Sequence, residues 1–311
     1  MHVHTPVLLS ETLEILSPKS GDRILDITLG LGGHSELLLQ TAGETGSLIA
    51  LDADTENIAL AEKKLEKFGT RVKIIHANFS ELPGCLPEDR RQFDVILADL
   101  GLSSPHIDDP TRGFTFRADA PLDMRFDRTS GMTAALLIAS LDEITLLSIF
   151  QGLGELPNAR RFTDAIVARR KDDPIRTSGD LVETANFIYG YKAPRYLPQI
   201  FQALRIAVNH EQEALSRFLT VLPTLLAPGG RSAVISYHSL EDGPVKTAFR
   251  ELCADQKHPF TGSITTKSGF EMLSKKGVIP TAREIRENPR SRSARLRAIR
   301  KREEYTFLRT A

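Results

Sequence analysis

The chain has 311 residues, 41% of them hydrophobic, enough for one large domain or two ordinary ones with a full apolar core. No apolar run is long enough to span a bilayer, nothing at the start reads as a leader, and Cys85 and Cys253 share no metal-binding spacing. These features argue against a membrane protein, a secreted disulfide scaffold and a cysteine-based metal site, and they predict a cytoplasmic protein that needs no metal.

Charge is balanced, at 40 basic and 40 acidic residues, but it is not even. From Thr281 to Ala311 there are 10 Lys and Arg against 4 Asp and Glu, which suits either a polyanion contact or a solvated charged tail.

In chain order, a short helix over Glu11–Leu16 is closed by Pro18 and Gly21. Ile24, Leu25 and Ile27 then suit a buried parallel strand. Gly30, Gly32 and Gly33 follow, where glycine allows positive φ and close approach of backbone N–H groups to a ligand. A helix over His34–Gln40 turns its N-terminus to the same place. The second strand, Leu48–Leu51, ends in Asp52, where a carboxylate is placed to accept hydrogen bonds from ribose hydroxyls. This predicts a nucleoside-containing cofactor. The spacing G-x-G-x-x-S departs from the dinucleotide pattern, and Asp26 suits the cationic groups of S-adenosylmethionine (SAM). SAM is therefore favoured over NAD, which stays open on these residues alone.

A helix over Asn57–Phe68, capped by Gly69, leads to a third strand, Val72–His76. Asn78 and Phe79 follow at its tip, where an amide and an aromatic face suit adenine. The fourth strand, Phe93–Ala98, delivers Asp99 to the switch point of a doubly wound sheet. Ser103, Ser104, Pro105 and His106 come next, and this cluster is the strongest catalytic candidate.

From Ile107 the pattern changes. A polar, aromatic-bearing loop runs over Asp108–Arg128. Helical runs follow over Ala134–Phe150, Ala159–Arg170, Leu181–Ile188 and Pro198–Leu219. This predicts an inserted helical domain over residues 107–209, in which Arg160, Arg161, Arg169, Arg170 and Lys171 line either a nucleic-acid groove or a solvated face. The first domain would comprise residues 1–106 and 210–311. In its second part, Pro228-Gly229-Gly230 turns into a fifth strand over Arg231–Tyr237, with His238 at its tip. A helix over Pro244–Leu252 and a sixth strand over Ser263–Lys267 come next. Thr281 and Glu284 suggest a capping box, and Ala294, Leu296 and Ala298 alternate with arginines as a half-buried strand with a basic outer face.

Several stretches together resemble the bacterial 16S ribosomal RNA cytosine-N4 methyltransferases. They are His4-Thr5-Pro6-Val7-Leu8-Leu9, Asp26 to Ser35, Asp99 to Pro105, Arg112-Gly113-Phe114, Pro121-Leu122-Asp123-Met124-Arg125, Phe201 to Ile206, His238-Ser239-Leu240-Glu241-Asp242 and Asn288 to Ala294. The resemblance implies an α/β class I SAM-methyltransferase fold, a seven-stranded doubly wound sheet with an all-helical insert. It also implies a substrate: the exocyclic N4 amine of a decoding-centre cytosine in the small ribosomal subunit. Carried onto this sequence, the SAM contacts are Gly32, Gly33, His34, Asp52, Phe79, Asp99 and His106. His106 stands where the family usually has glutamine. Leu156-Pro157-Asn158 and Leu197-Pro198-Gln199-Ile200 also depart from the family pattern. Asp99, Ser103, Ser104 and His238 are the candidate catalytic residues. No cysteine lies near the fourth-strand tip, which fits an amine acceptor rather than cytosine C5.

Overall fold

The computed structural model describes residues 6–89 and 91–303. His4 and Thr5 of the N-terminal motif, and the tail from Glu304 onward, lie outside them. The chain divides into two compact units, Met1–Gly101 with Glu213–Ala311, and Leu102–Gln212. Sequence patterning set these divisions at 106/107 and 209/210. Among the described residues, no helix is long and apolar enough to cross a membrane.

The first unit is built on a seven-stranded sheet. Its strands are β1 (Arg23–Asp26), β2 (Ser47–Asp52), β3 (Val72–His76), β4 (Phe93–Asp99), β5 (Leu226–Ser236), β6 (Phe270–Met272) and β7 (Arg295–Lys301). Their order across the sheet is 3-2-1-4-5-7-6, and β7 alone runs against the rest. This is the class I SAM-methyltransferase sheet. Residues alternate between its faces as the pleat requires. Ile24, Leu48, Ala50, Val95 and Leu97 pack with α1 (Leu9–Leu16), α2 (Gly33–Thr41) and α3 (Thr55–Leu65). Leu25, Ile49, Leu51, Ile96 and Ala98 share a second core with Phe218, Leu222, Val245 and Phe249. Strands buried on both faces read as continuous apolar runs, which is why β1, β2 and β4 are plain in the sequence.

In the inserted unit the helices are α4 (Ser104–Asp108), α5 (Ala134–Ser140), α6 (Glu143–Ser148), α7 (Ala159–Arg169), α8 (Ser178–Tyr189) and α9 (Ala193–Asn209). Their core gathers Phe150, Phe162, Ile166, Leu181, Ile200 and Phe201. The helix expected over Ala134–Phe150 is divided, because Asp142 takes an extended conformation and caps a new helix by accepting from Thr145 N–H (2.8 Å). The expected Pro198–Leu219 helix is likewise two, α9 and α10 (Glu211–Leu225). His210 separates them at φ +51°. A shared apolar stripe on both sides of that break made them look continuous.

The last stretch of the first unit holds three further differences. Helix α11 (Ser239–Leu252) starts five residues before the expected Pro244. The expected sixth strand pairs instead with Gln256–Lys257 in a separate ribbon, over Ile264–Thr266, and the sheet's sixth strand is Phe270–Met272. At α12 (Ala282–Glu287), Thr281 Oγ1 does accept from Glu284 N–H (3.2 Å), but the Glu284 carboxylate accepts from Leu8 N–H (2.8 Å), so the cap is not reciprocal.

The last strand does not present the basic outer face expected of it. Arg297 is buried, and its guanidinium grips both oxygens of Asp242 (2.7 and 2.9 Å). Arg295 also approaches Asp242, Arg300 and Arg302 pair with Glu271, and Arg283 pairs with Glu287. Much of the tail's positive charge is thus neutralised within the fold. In the insert, Arg169 is held by Asp173 (2.7 Å) and Glu183 (2.9 Å), and Arg160 by Glu143.

Candidate cofactor and catalytic site

Parallel pairing of β1, β2, β4 and β5 brings their C-terminal ends to one edge of the sheet. Three aspartates stand at those ends. Asp26 is buried, accepting from Thr28 N–H (3.1 Å) and from Ser35 Oγ (2.7 Å). It ties the loop after β1 to the first turn of α2. Both its oxygens are engaged within the protein, so the ligand-facing role expected of it passes to its neighbours. The loop itself needs glycine: Gly30 and Gly32 lie at φ +52° and +74°. Gly33 is required for a different reason, since a Cβ there would stand 2.4 Å from Pro6 Cγ.

Asp52 closes the far side of this loop. Its carboxylate accepts from Gly30 N–H (2.7 Å) and Asp54 N–H (2.8 Å). Burial lifts its pKa to about 7, against the pull of those donors. One backbone bond further on, Ala77 N–H donates to Asp52 O, which brings the chain after β3 alongside. There Asn78 caps a short turn, and the half-buried Phe79 ring meets Phe218 edge-on at 6.3 Å.

Asp99, at the end of β4, is the centre of the arrangement. Its N–H donates to Thr28 Oγ1 (2.6 Å), and its carboxylate accepts from the Tyr237 hydroxyl (2.9 Å). The Nε2 atom of His34, a buried residue, lies 3.7 Å from the other carboxylate oxygen. Burial raises the Asp99 carboxyl to about 7; the Tyr237 hydrogen bond opposes this and the nearby Asp26 adds to it. Burial also pushes the Tyr237 phenol well above its usual range, with the Asp99 charge adding to it, so Tyr237 is a donor at neutral pH. Gly101 makes room for that phenol: a Cβ there would stand 2.6 Å from Tyr237 Cε2.

His238, beside Tyr237, caps α11 and holds Glu241 through Nε2 (3.0 Å). The other Glu241 oxygen accepts from Tyr237 N–H (2.7 Å). This geometry gives His238 a part in fixing the end of β5.

The remaining candidates lie in the inserted unit. Ser103 N–H donates to His106 Nδ1 (3.2 Å), and Ser104 begins α4. Ser103 Oγ is buried at the start of α4. The buried His106 ring stacks with Phe114 and Phe126, centroids 5.0 and 5.1 Å away. Nearby, Arg112 is fully buried and donates to the carbonyls of Arg125 and Phe126. Gly32, Gly33, His34, Asp52, Phe79 and Asp99 thus gather at one sheet edge. Sequence reasoning missed Thr28, Ser35, Glu241 and Tyr237 as parts of that site. Tyr237 stands beside the His238–Asp242 motif, and its placement at the end of β5, next to β4, was the available signal.

A donor-lined turn, a carboxylate at the end of β2 and a second carboxylate at the end of β4 match what a cationic nucleoside cofactor needs. A model of the MraW methylase family matches residues 1–302. The chain belongs to the MraW methylase family. Members named ribosomal RNA small subunit methyltransferase H are similar to it along nearly their full length. The one from Thermomicrobium roseum is 42% identical, covering 95% of this chain and 92% of its own. The one from Syntrophotalea carbinolica is 42% identical, covering 96% and 98%. The one from Bacteroides thetaiotaomicron is 40% identical, covering 96% and 97%. A solved SAM-dependent methyltransferase from Aquifex aeolicus is 12% identical, covering 95% of this chain and 89% of that one, at a TM-score of 0.39. For this MraW-family chain the fold therefore rests on its own strand order.

Proposed function

We propose that this chain is a cytoplasmic SAM-dependent methyltransferase that modifies 16S ribosomal RNA in the small subunit, at the exocyclic N4 amine of a decoding-centre cytosine. The observation that carries the reading is Asp99: a carboxylate at the end of β4, held by Tyr237, beside His34 and the Gly30–Gly33 loop. Family membership and the relatives' name support the substrate class.

Gly32, Gly33 and His34 would line the methionine part of SAM, Asp52 its ribose and Phe79 its adenine. Asp99 would face its charged end. The residues fit that group, since the loop backbone is already folded into positive φ and the Asp52 and Asp99 carboxyls are anchored by protein donors. Bound SAM supplies a methyl group activated by its sulfonium.

A cytosine amine is a weak nucleophile because its lone pair is delocalised into the ring. The protein's task is to hold that nitrogen in line at roughly 3 Å and accept its hydrogen bonds, which concentrates the reaction without a covalent intermediate. The nitrogen–methyl bond forms as the methyl–sulfur bond breaks, and the amine then gives up a proton. Asp99, with a carboxyl near 7, is suited to take that proton at neutral pH. Ser103 and Ser104, which follow Asp99 in the chain, are the further candidates for shaping the amine's surroundings. His106 supports Ser103 from behind, and His238 supports Tyr237 through Glu241. The inserted unit, residues 102–212, would recognise an unpaired stretch of RNA.

The test is methyl transfer from labelled SAM to small subunits prepared from cells lacking the enzyme, followed by nucleoside mass spectrometry. N4-methylated cytidine is expected. Label on adenosine, on cytosine C5 or on protein would sink the reading.

A further inference from the structure

Helix α8 ends in a patch that neither the sheet-edge site nor the packing of the insert uses. Phe187 is 83% exposed and Tyr191 88% exposed. Asn186, Lys192 and Arg195, beside them in the chain, are exposed too. Beneath, Tyr189, Ala193 and Leu197 are buried in the core of the insert, and Tyr189 packs on Tyr196 with centroids 4.9 Å apart. The exposed rings therefore project from an anchored helix end, not from a loose loop. Lys192 Nζ lies 5.5 Å from the Tyr191 ring centroid, and the Arg195 guanidinium 5.8 Å from that of Tyr196.

Along this stretch of chain the charge has one sign. From Thr184 to His210 the chain has no Asp or Glu, while Lys192 and Arg195 flank the rings; Arg205, further along, is held by Glu211 (2.8 Å) and adds nothing to the patch. The acid just before, Glu183, is engaged by Arg169 (2.9 Å). Bare aromatic faces interleaved with an amide and cations are what single-stranded nucleic acid uses: every base has a face to stack, and every phosphate seeks a cation. The centre of a protein–protein contact is instead depleted in lysine.

We propose that Phe187 and Tyr191, with Asn186, Lys192 and Arg195, form a platform on which unpaired RNA bases stack. The proposal rests on the reading of an RNA substrate and names the surface that holds it.

The chain contains no tryptophan, so Tyr191→Trp or Phe187→Trp places a single reporter at this surface. The full-length variants are titrated with a short end-labelled oligouridine at low salt. Tryptophan emission reports stacking and label anisotropy reports binding. Emission is expected to be quenched along the same curve as binding. The double variant Phe187→Ala/Tyr191→Ala is expected to bind about tenfold or more weakly, since one base–aromatic stack is worth ~1–3 kcal/mol. SAM affinity should not change. Replacing Lys192 and Arg195 by Gln should flatten the dependence of log affinity on log salt by about 0.7 for each phosphate of the single strand that is no longer neutralised.

Unquenched emission while the RNA is bound would overturn the platform, as would unaltered affinity of the double alanine variant or no oligouridine binding at all. Loss of a dimer in the double alanine variant, with RNA affinity intact, would reassign the patch to an interface between copies. If the platform is quenched but ribosomal RNA is never methylated, the platform stands and the proposed function fails. If methylation proceeds with the same KM for subunits in the double variant, the function stands and the platform fails.

Discussion

Three aspartates stand at one sheet edge, Asp26 buried and Asp52 and Asp99 half-buried, and they differ in what their oxygens are left to do. Asp26 gives both to the loop, Asp52 binds two backbone N–H groups, and Asp99 receives one phenol and faces His34. Burial lifts all three above the ordinary carboxylate value of 3.8, Asp26 to about 6 and the others to about 7. The folded protein therefore holds more protons than the unfolded chain between about pH 4 and pH 7. Their contribution to stability is full below the lower value and is lost as pH rises through the upper one. A bound cation favours the ionised carboxylate, so cofactor binding should release protons in the upper part of that window. Calorimetry of SAM binding near pH 6.5, in buffers of different ionisation heat, is expected to show that release, and near pH 8.5 to show almost none. Asp99→Asn should remove most of it; release that persists in full would assign the proton elsewhere. Tyr237→Phe keeps the ring that fills the space over Gly101 and deletes the donor to Asp99. The rise of turnover with pH should then move to higher pH. Turnover at neutral pH should fall about tenfold or more, as for losing a hydrogen bond to a charged group. An unchanged pH profile would show that Tyr237 only packs.

The elements that could be read in the sequence were those whose signal is local. Strands β1, β2 and β4 declared themselves as apolar runs with a turn at each end, and the edge strand β3 begins and ends where the sequence placed it. Elements defined by distant partners were not legible. A weak alternation over Ser263–Lys267 looked like a sheet strand, yet Phe270–Met272 is the segment that pairs with β7. Arg297 looked like a solvent-facing charge because its partner, Asp242, lies 55 positions away. That pair predicts a large effect on stability. Asp242→Ala leaves a buried guanidinium uncompensated and should cost about 3 kcal/mol, read as a lower urea midpoint with SAM affinity retained. Adding Arg297→Met should recover much of the loss. A single variant as stable as the parent would contradict the buried-pair account.

At the scale of the whole molecule, the chain leaves the sheet after β4 and returns to it in β5. Asp99 is at the point of departure, and Tyr237 follows the strand of return. One hydrogen bond of 2.9 Å joins these residues, 138 positions apart. The individual site candidates were readable because each lies at the end of a recognisable strand. Their coupling was not, since nothing local to either residue announces it. The same separation explains why the insert could be seen as a change of pattern, while its helix breaks and internal ion pairs could not. The measurement that tests this account most directly is single-turnover methyl transfer to small subunits, with SAM and enzyme saturating, by the parent chain and by Asp99→Asn. Removing the proton acceptor should slow the transfer by about 100-fold or more while both variants still bind SAM and subunits. Equal rates would contradict a central role for Asp99, and with it the assignment of the chemistry to this edge of the sheet.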